Sequence, residues 1–226
     1  MFDRFKLIIG DNINILKYKK VLLVGLGGVG GQTFESLVRC GFFNICVIDF
    51  DKVDLTNLNR QVLAYKKTIG LDKVDVALNM ALSINPDINI SFHKVFLEKS
   101  NISIILDEKP DFVIDACDSI LTKELIIKTC LKNNIPFISV MGTGNKMHPE
   151  MLEICDIRKT SYDPIAKKIR KMVNDEKIRG KVPVIYSKEV PLIRGKVGST
   201  AFVPGCAGLM ATSYVVNSLL GGLNEK

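Results

Sequence analysis

The stretch KVLLVGLGGVG, residues 20–30, decides the fold. Its first half is a short apolar run of the kind that forms a buried strand, and its second half is punctuated by Gly25, Gly27, Gly28 and Gly30. Residues 29–40 then read as a helix, so the unit is strand, tight turn, helix. Such a turn aims backbone amides and the positive end of a helix at one point in space, where an anionic phosphate is stabilised. The bare Gly-x-Gly-x-x-Gly spacing is also compatible with a plain strand-to-helix turn. The next apolar run adds weight to the nucleotide reading: ICVIDFD at 45–51 is a second buried strand whose acidic end, Asp49, is placed to accept hydrogen bonds from a ribose.

Outward from that unit the alternation continues. Residues 72–83 read as a helix, 88–95 and 111–118 as strands, 120–133 as a helix and 135–142 as a strand. Alternating strands and helices predict an α/β fold: a Rossmann-like, mostly parallel sheet with helices on both faces. This nucleotide-binding core spans residues 1–145. After Gly144 the rhythm changes. Residues 151–157 and 182–189 read as strands and 161–173 as an amphipathic helix, with Ile165, Ile169, Met172 and Val173 on one face and Lys167, Lys168, Arg170 and Lys171 outward. Residues 146–226 are therefore expected to be a basic substrate-binding and C-terminal helical part of one domain that covers 1–226.

The chain has 226 residues, 47% of them hydrophobic and 24% charged, which excludes a disordered or collagen-like chain. Six cysteines, at 40, 46, 117, 130, 155 and 206, never fall as Cys-x-x-Cys, so neither a disulfide framework nor a structural zinc site is expected. Reduced thiols in a cytoplasm are the default, and the N-terminus lacks the apolar core of a signal peptide. The net charge of +7 is localised: residues 156–196 hold 12 Lys or Arg against 5 Asp or Glu, while the rest of the chain balances. That is the footprint for a polyanion, nucleic acid or anionic lipid, or else a solvated basic face. Residues 197–224 carry no charge, but Pro204, Thr212 and Asn217 interrupt them, and a packed helix is favoured over a membrane span.

The discriminating strings are Asp49-Phe50-Asp51-Lys52-Val53 and Asn57-Leu58-Asn59-Arg60-Gln61. A dinucleotide needs no arginine here, whereas a triphosphate under cleavage benefits from a guanidinium fork and a nearby lysine, for which Arg60 and Lys73 are the candidates. Asp118, at the end of DFVIDACD, is placed where Mg²⁺ can bridge carboxylate and phosphate. The glycine-rich run Gly142-Thr143-Gly144-Asn145, at the carboxyl end of a strand, is the candidate substrate contact. Cys117, Cys155, Cys206, His93 and His148 are read as structural.

These strings, with Lys73 after Gly70 and the Asp115-x-x-Asp118 pair, resemble the ThiF, MoeB and ubiquitin-activating superfamily, whose members adenylate carboxylates with ATP. MGTGNK at 141–146, KTSYDPIAKKIRK at 159–171, YSKE at 186–189 and PGCAGL at 204–209 are similar to its tRNA threonylcarbamoyladenosine dehydratase branch. The resemblance implies that Gly28 contacts ATP phosphate, Asp49 the ribose, and Asn57, Arg60 and Lys73 the triphosphate, with Asp118 beside Mg²⁺. Gly25, Gly27, Gly30, Asp51 and Gln61 belong to the same nucleotide-binding set. It further implies a homodimer in which Arg4 reaches the partner's ATP site; with tRNA as substrate, the outward Lys and Arg of residues 167–171 are suited to hold its phosphates. It leaves open whether a sulfur-transfer partner protein assists. The expected activity is ATP-dependent dehydration of the modified nucleoside in tRNA. One alternative is activation of a ubiquitin-like or sulfur-carrier protein, which the missing Cys-x-x-Cys zinc ligands disfavour. Another is a noncatalytic Rossmann binding module or redox sensor, which would bind NAD tightly without turning over ATP.

Overall fold

In the computed structural model, which describes residues 1–193 and 195–221, the chain starts with two short helices, α1 (Asp3–Ile9) and α2 (Ile13–Tyr18). There follow β1 (Lys20–Val24), α3 (Gly28–Arg39), β2 (Asn44–Ile48), α4 (Lys73–Ile84), β3 (Asn89–His93), α5 (Ile104–Asp107) and β4 (Phe112–Asp115). Then come α6 (Ile120–Lys132), β5 (Phe137–Val140), β6 (Leu152–Asp156), α7 (Pro164–Asp175), β7 (Pro183–Ser187) and α8 (Phe202–Leu219). The seven strands form one sheet in the order β3-β2-β1-β4-β5-β7-β6, parallel throughout except for the β7–β6 pair. This is the α/β, mostly parallel sheet that the alternation predicts.

A parallel sheet is covered on both faces, so its central strands are near-continuous apolar runs. β1 shows the consequence. Val21 and Leu23 enter the core beneath α3, α4 and α8, while Leu22 and Val24 enter a second core with α6 and α7. Between β1 and β4 the strand order reverses direction, and a crevice opens at the carboxyl ends of the strands.

The uncharged C-terminal segment is the buried helix α8, laid against α3. The approach is close enough that a Cβ at Gly208 would lie 2.5 Å from the Val29 carbonyl oxygen. Thr33 Oγ1 donates to Gly208 O and Thr212 Oγ1 to Thr33 O across the contact. No helix among the described residues is long and apolar enough to cross a membrane. Residues 222–224 of the uncharged segment, and Arg194 of the basic one, lie outside the described residues.

Three differences from expectation matter. The helices α1, α2 and α5 carry too few periodic residues to stand out in the sequence. The second strand stops at Ile48, and the strand around Val113 stops at Asp115, so Asp49, Asp51 and Asp118 all sit on the turns beyond their strands. The third is Arg170, which is half-buried and donates from Nη1 to Thr160 O (2.7 Å) and Oγ1 (2.6 Å) instead of facing outward. It lies one turn after the buried Ala166, on the same helix face.

The turn after β1 permits a direct test. A Cβ on Gly30 would meet Gly25 O at 1.8 Å, a backbone atom that cannot yield, whereas nothing lies within 4 Å of a Cβ on Gly205 inside α8. Gly30→Ala should therefore cost on the order of 3 kcal/mol and Gly205→Ala should add about 0.5–1 kcal/mol. Urea denaturation of the two variants checks both signs.

Candidate active site

The crevice above β1, β2, β4 and β5 is a cleft of about 1470 Å³. Gly25, with φ +93°, turns the chain away from β1 so tightly that a Cβ would sit 2.9 Å from Ala116 O. Gly27, by contrast, faces open space. The three glycines thus divide the work: Gly25 makes the turn, Gly27 leaves room for an incoming group, and Gly30 lets α3 pack on the end of the strand. Gly28 also lines the cleft, beneath Pro204 of α8.

Asp49 holds this turn from the side. Its Oδ2 accepts from Leu26 N at 2.6 Å and its Oδ1 from Asp51 N at 2.8 Å. Burial pushes its carboxyl above the ordinary value, against the pull of Lys73 and the two amides. Lys73 opens α4, with a side chain only 5% exposed and its Nζ 2.7 Å from Asp51 Oδ2. Asp51 therefore serves the lysine in this structure. Arg60 anchors one nitrogen, Nη1, on Thr56 O (2.7 Å) and Asn59 Oδ1 (2.9 Å). The rest of its fork has no partner among the described residues and lines the cleft. Asn57 is buried and its Oδ1 accepts from Asp54 N, closing the turn that carries Arg60. Gln61 is buried at the cleft wall, and its Oε1 lacks a hydrogen-bond partner among the described residues.

Asp118 is exposed in the cleft and among the described residues makes no hydrogen bond or ion pair. Its position is set from below by a buried network that the sequence reading missed. Lys123, wholly buried, donates to both oxygens of Asp115 at 3.1 Å and to Val140 O at 2.7 Å. Asp115 also accepts from Ser139 Oγ and from Cys117 N, two residues further along the chain. Burial first, then the Asp115 charge, pushes the Cys117 thiol well above its ordinary range, which disfavours the nucleophilic thiolate.

The Gly142–Asn145 run lines the opposite wall. Asn145 there is committed to the protein: its Oδ1 accepts from Gly198 N at 2.6 Å, and its Nδ2 donates to Ile193 O and Lys196 O. It straps residues 192–193 and 196–198 beside the cleft. Three further contributions escaped the sequence reading. Lys146 and Asp163, both buried, pair at 3.2 Å on the cleft wall. Glu189 is buried and accepts from Met147 N and His148 N. Phe50 and Phe96 meet edge to face at the rim with ring centroids 5.2 Å apart. Phe50 could have been noticed, since it directly follows Asp49 at the strand end.

Lys167, Lys168 and Lys171 are exposed on α7 and, with Arg170, lie outside the cleft lining. Arg4 is exposed on α1 and does not line it either. The six cysteines are all free. Among the described residues, the group with metal-ligand potential is Cys46, His93 and Glu108. There the Lys20 ammonium, 2.5 Å from Glu108, already supplies the cation.

The ThiF family profile matches residues 3–226. The chain is 39% identical to the tRNA threonylcarbamoyladenosine dehydratase of Bacillus subtilis, over all of this chain and 96% of the relative. It is 30% identical to the protein of the same name from Haemophilus influenzae, over 93% of this chain and 84% of that one. The crystal structure of the E. coli tRNA N6-threonylcarbamoyladenosine dehydratase in complex with ATP superposes with a TM-score of 0.93, at 29% identity, covering 97% of this chain and 93% of that one.

Two outcomes are expected. Asn145→Ala frees residues 196–198, so the Gly198 amide should exchange hydrogen at least about tenfold faster. Burial opposes the Glu108 charge, but hydrogen bonds from Lys20, His93 and Ser91 outweigh it and hold the carboxyl down at about 2. A carboxyl lowered on folding contributes stability that is present above its unfolded value and lost as pH falls through the folded one. Acid titration of stability should therefore show a loss between pH about 4.5 and about 2, and Glu108→Gln should remove that part of the profile.

Proposed function

The chain belongs to the ThiF family, and we propose that it is an ATP-dependent dehydratase of threonylcarbamoyladenosine in tRNA. The observation that carries this reading is a phosphate-binding turn, an acidic ribose position and the Arg60–Lys73–Asp118 set in one cleft, in a chain similar over its full length to dehydratases of that name.

The substrate ends in a free carboxylate, whose negative charge repels nucleophiles and which offers no good leaving group. Adenylation removes both obstacles. A carboxylate oxygen bonds to the α-phosphorus of ATP, the α–β bridge breaks and pyrophosphate leaves. The carbamoyl group of the same nucleoside then attacks the activated carbonyl through nitrogen or oxygen, gives up one N–H proton and expels AMP, closing a ring. The oxygen lost from the nucleoside departs with AMP, so the nucleoside loses one water overall. Attacker and target share a side chain, which makes the second step a proximity-driven closure and requires no enzyme nucleophile. That agrees with the elevated Cys117 thiol and with the high values of about 12 to which burial raises Cys46 and Cys130.

Each part of the cleft takes a distinct role. The Gly27 and Gly28 amides at the α3 N-terminus receive phosphate oxygens, and Asp49 accepts from the ribose. The free nitrogens of Arg60 and the Lys73 ammonium face the charge that builds as pyrophosphate departs. Magnesium suits Asp118, an unpaired carboxylate in the cleft, because Mg²⁺ is commonly shared between one or two carboxylates and substrate phosphates; when bound it screens the phosphate charge. The exposed Lys167, Lys168 and Lys171 hold tRNA phosphates outside the cleft. Arg170 braces the turn before α7 instead. Arg4, outside the lining of its own cleft, suits a homodimer in which it completes the partner's site. The six free cysteines suit a reducing cytoplasm. A sulfur-transfer partner would find no activated thiol at Cys46, Cys117 or Cys130.

Mass spectrometry of modified tRNA incubated with the enzyme, ATP and Mg²⁺ should show the loss of one water from the nucleoside. An unchanged mass with folded, ATP-binding protein overturns the reading. Gly27→Ala, which places a methyl group in the open cleft, should weaken ATP binding about tenfold while the protein stays folded. The triple change of Lys167, Lys168 and Lys171 to Glu should weaken tRNA binding and flatten its salt dependence, by about 0.7–0.9 in log–log slope per lost phosphate contact. ATP affinity measured by calorimetry should be unaltered.

A further inference from the structure

Tyr162 has φ +55°, in the left-handed region, and Asp163 N donates to Ser161 O across it at 2.6 Å. This is a γ-turn of the strained hand, unfavourable for any side chain with a Cβ and especially for a bulky one. Glycine would remove the strain, yet the chain carries a large aromatic here. Packing does not explain it, because Tyr162 is 66% exposed.

The turn is held from its far side. Asp163 is buried; its Oδ1 accepts from Ala166 N at 2.7 Å, capping α7, and its Oδ2 pairs with Lys146 Nζ at 3.2 Å. Gly142 lies so close that a Cβ there would be 2.8 Å from Asp163 Oδ2. The wall of the cleft therefore determines where Tyr162 stands: at the cleft mouth, directly before the helix that presents Lys167, Lys168 and Lys171. Strain of this kind survives where surrounding contacts over-determine it, and it gathers at functional positions.

We propose that the Tyr162 ring is a stacking platform for an unstacked base of the tRNA loop that carries the modified adenosine. The proposal rests on the tRNA reading above and adds to it the residue that seats the loop. Loop bases, unlike those of an RNA duplex, can splay out onto aromatic side chains, and the neighbouring lysines would hold the flanking phosphates. Lys146 and Asp163 act as positioning residues for the ring.

The test uses the full chain, a fluorescein-labelled stem-loop RNA bearing the threonylcarbamoyl nucleoside, and a duplex RNA of the same length. Tyr162→Gly should keep or raise the melting temperature, since the backbone strain is relieved, and should bind the stem-loop about tenfold more weakly. Tyr162→Phe should bind it within about twofold of the parent, because the ring is kept. Duplex binding and ATP binding should be unchanged in both. A Tyr162→Gly variant that binds the stem-loop like the parent overturns the proposal, as does an equal loss on duplex, or a Tyr162→Phe loss as large as that of Tyr162→Gly. If the parent dehydrates the tRNA nucleoside and Tyr162→Gly is unimpaired, stacking alone falls. Failure of the parent even to bind the stem-loop removes the tRNA reading and this proposal together.

Discussion

The first turn of α3 sits against the carbonyl of Gly25 at a distance that no side chain survives, and most of the site depends on that contact. Because Gly30 has no Cβ, the helix starts directly on the end of β1 and its N-terminal amides open into the cleft. The same proximity brings α3 under α8, where Gly208 and the Thr33 and Thr212 hydroxyls replace bulk with backbone contact. Asp49 then ties Leu26 N to the end of β2. A glycine turn, a neighbouring strand and a C-terminal helix thus form one rigid seat, and preorganised donors of this kind need no rearrangement when charge arrives.

Buried charge is the second constraint. Lys123 and Asp115 lie beneath the cleft floor, and Lys146 and Asp163 lie in its wall. Taking such pairs out of water is costly, and the cost is tolerable only where each remaining donor and acceptor finds a partner. Asp115 and Lys123 meet that condition through Ser139 Oγ, Cys117 N and Val140 O; Asp163 meets it through Ala166 N. Each pair fixes a turn whose neighbouring residues face the cleft, Asp118 in one case and Tyr162 in the other. The energy spent on the pairs therefore appears as geometry at the surface of the site.

The glycine turn and the presence of the strands were legible because they depend on local chemistry. Glycine spacing, apolar runs and the acidic residue after a strand all act within a few residues of one another. Arg170 and Asn145 show where that logic stops. Arg170 sits in a basic run, yet its partner is the Thr160 carbonyl before the helix. Asn145 belongs to a glycine-rich loop that looks suited to a substrate, yet its amide ties down a segment about fifty residues later. Nothing beside Lys123, Lys146 or Glu189 in the sequence marks them as interior, yet all three are buried in the fold.

The sequence by itself determined the alternation of strands and helices, the tight glycine turn, the identity of the charged groups around it and the concentration of positive charge after residue 156. These follow from side-chain size, periodicity and composition, which are properties of neighbouring residues. Only the tertiary structure decided which charges are free to meet a ligand. Arg60 and Asp118 keep unpaired atoms in the cleft and Lys73 reaches it paired with Asp51, whereas Arg170 is held outside it by Thr160 and Lys146 is tied to Asp163 in its wall. A charge becomes available or committed according to what the fold brings within hydrogen-bond reach, and those partners lie on other elements of the chain.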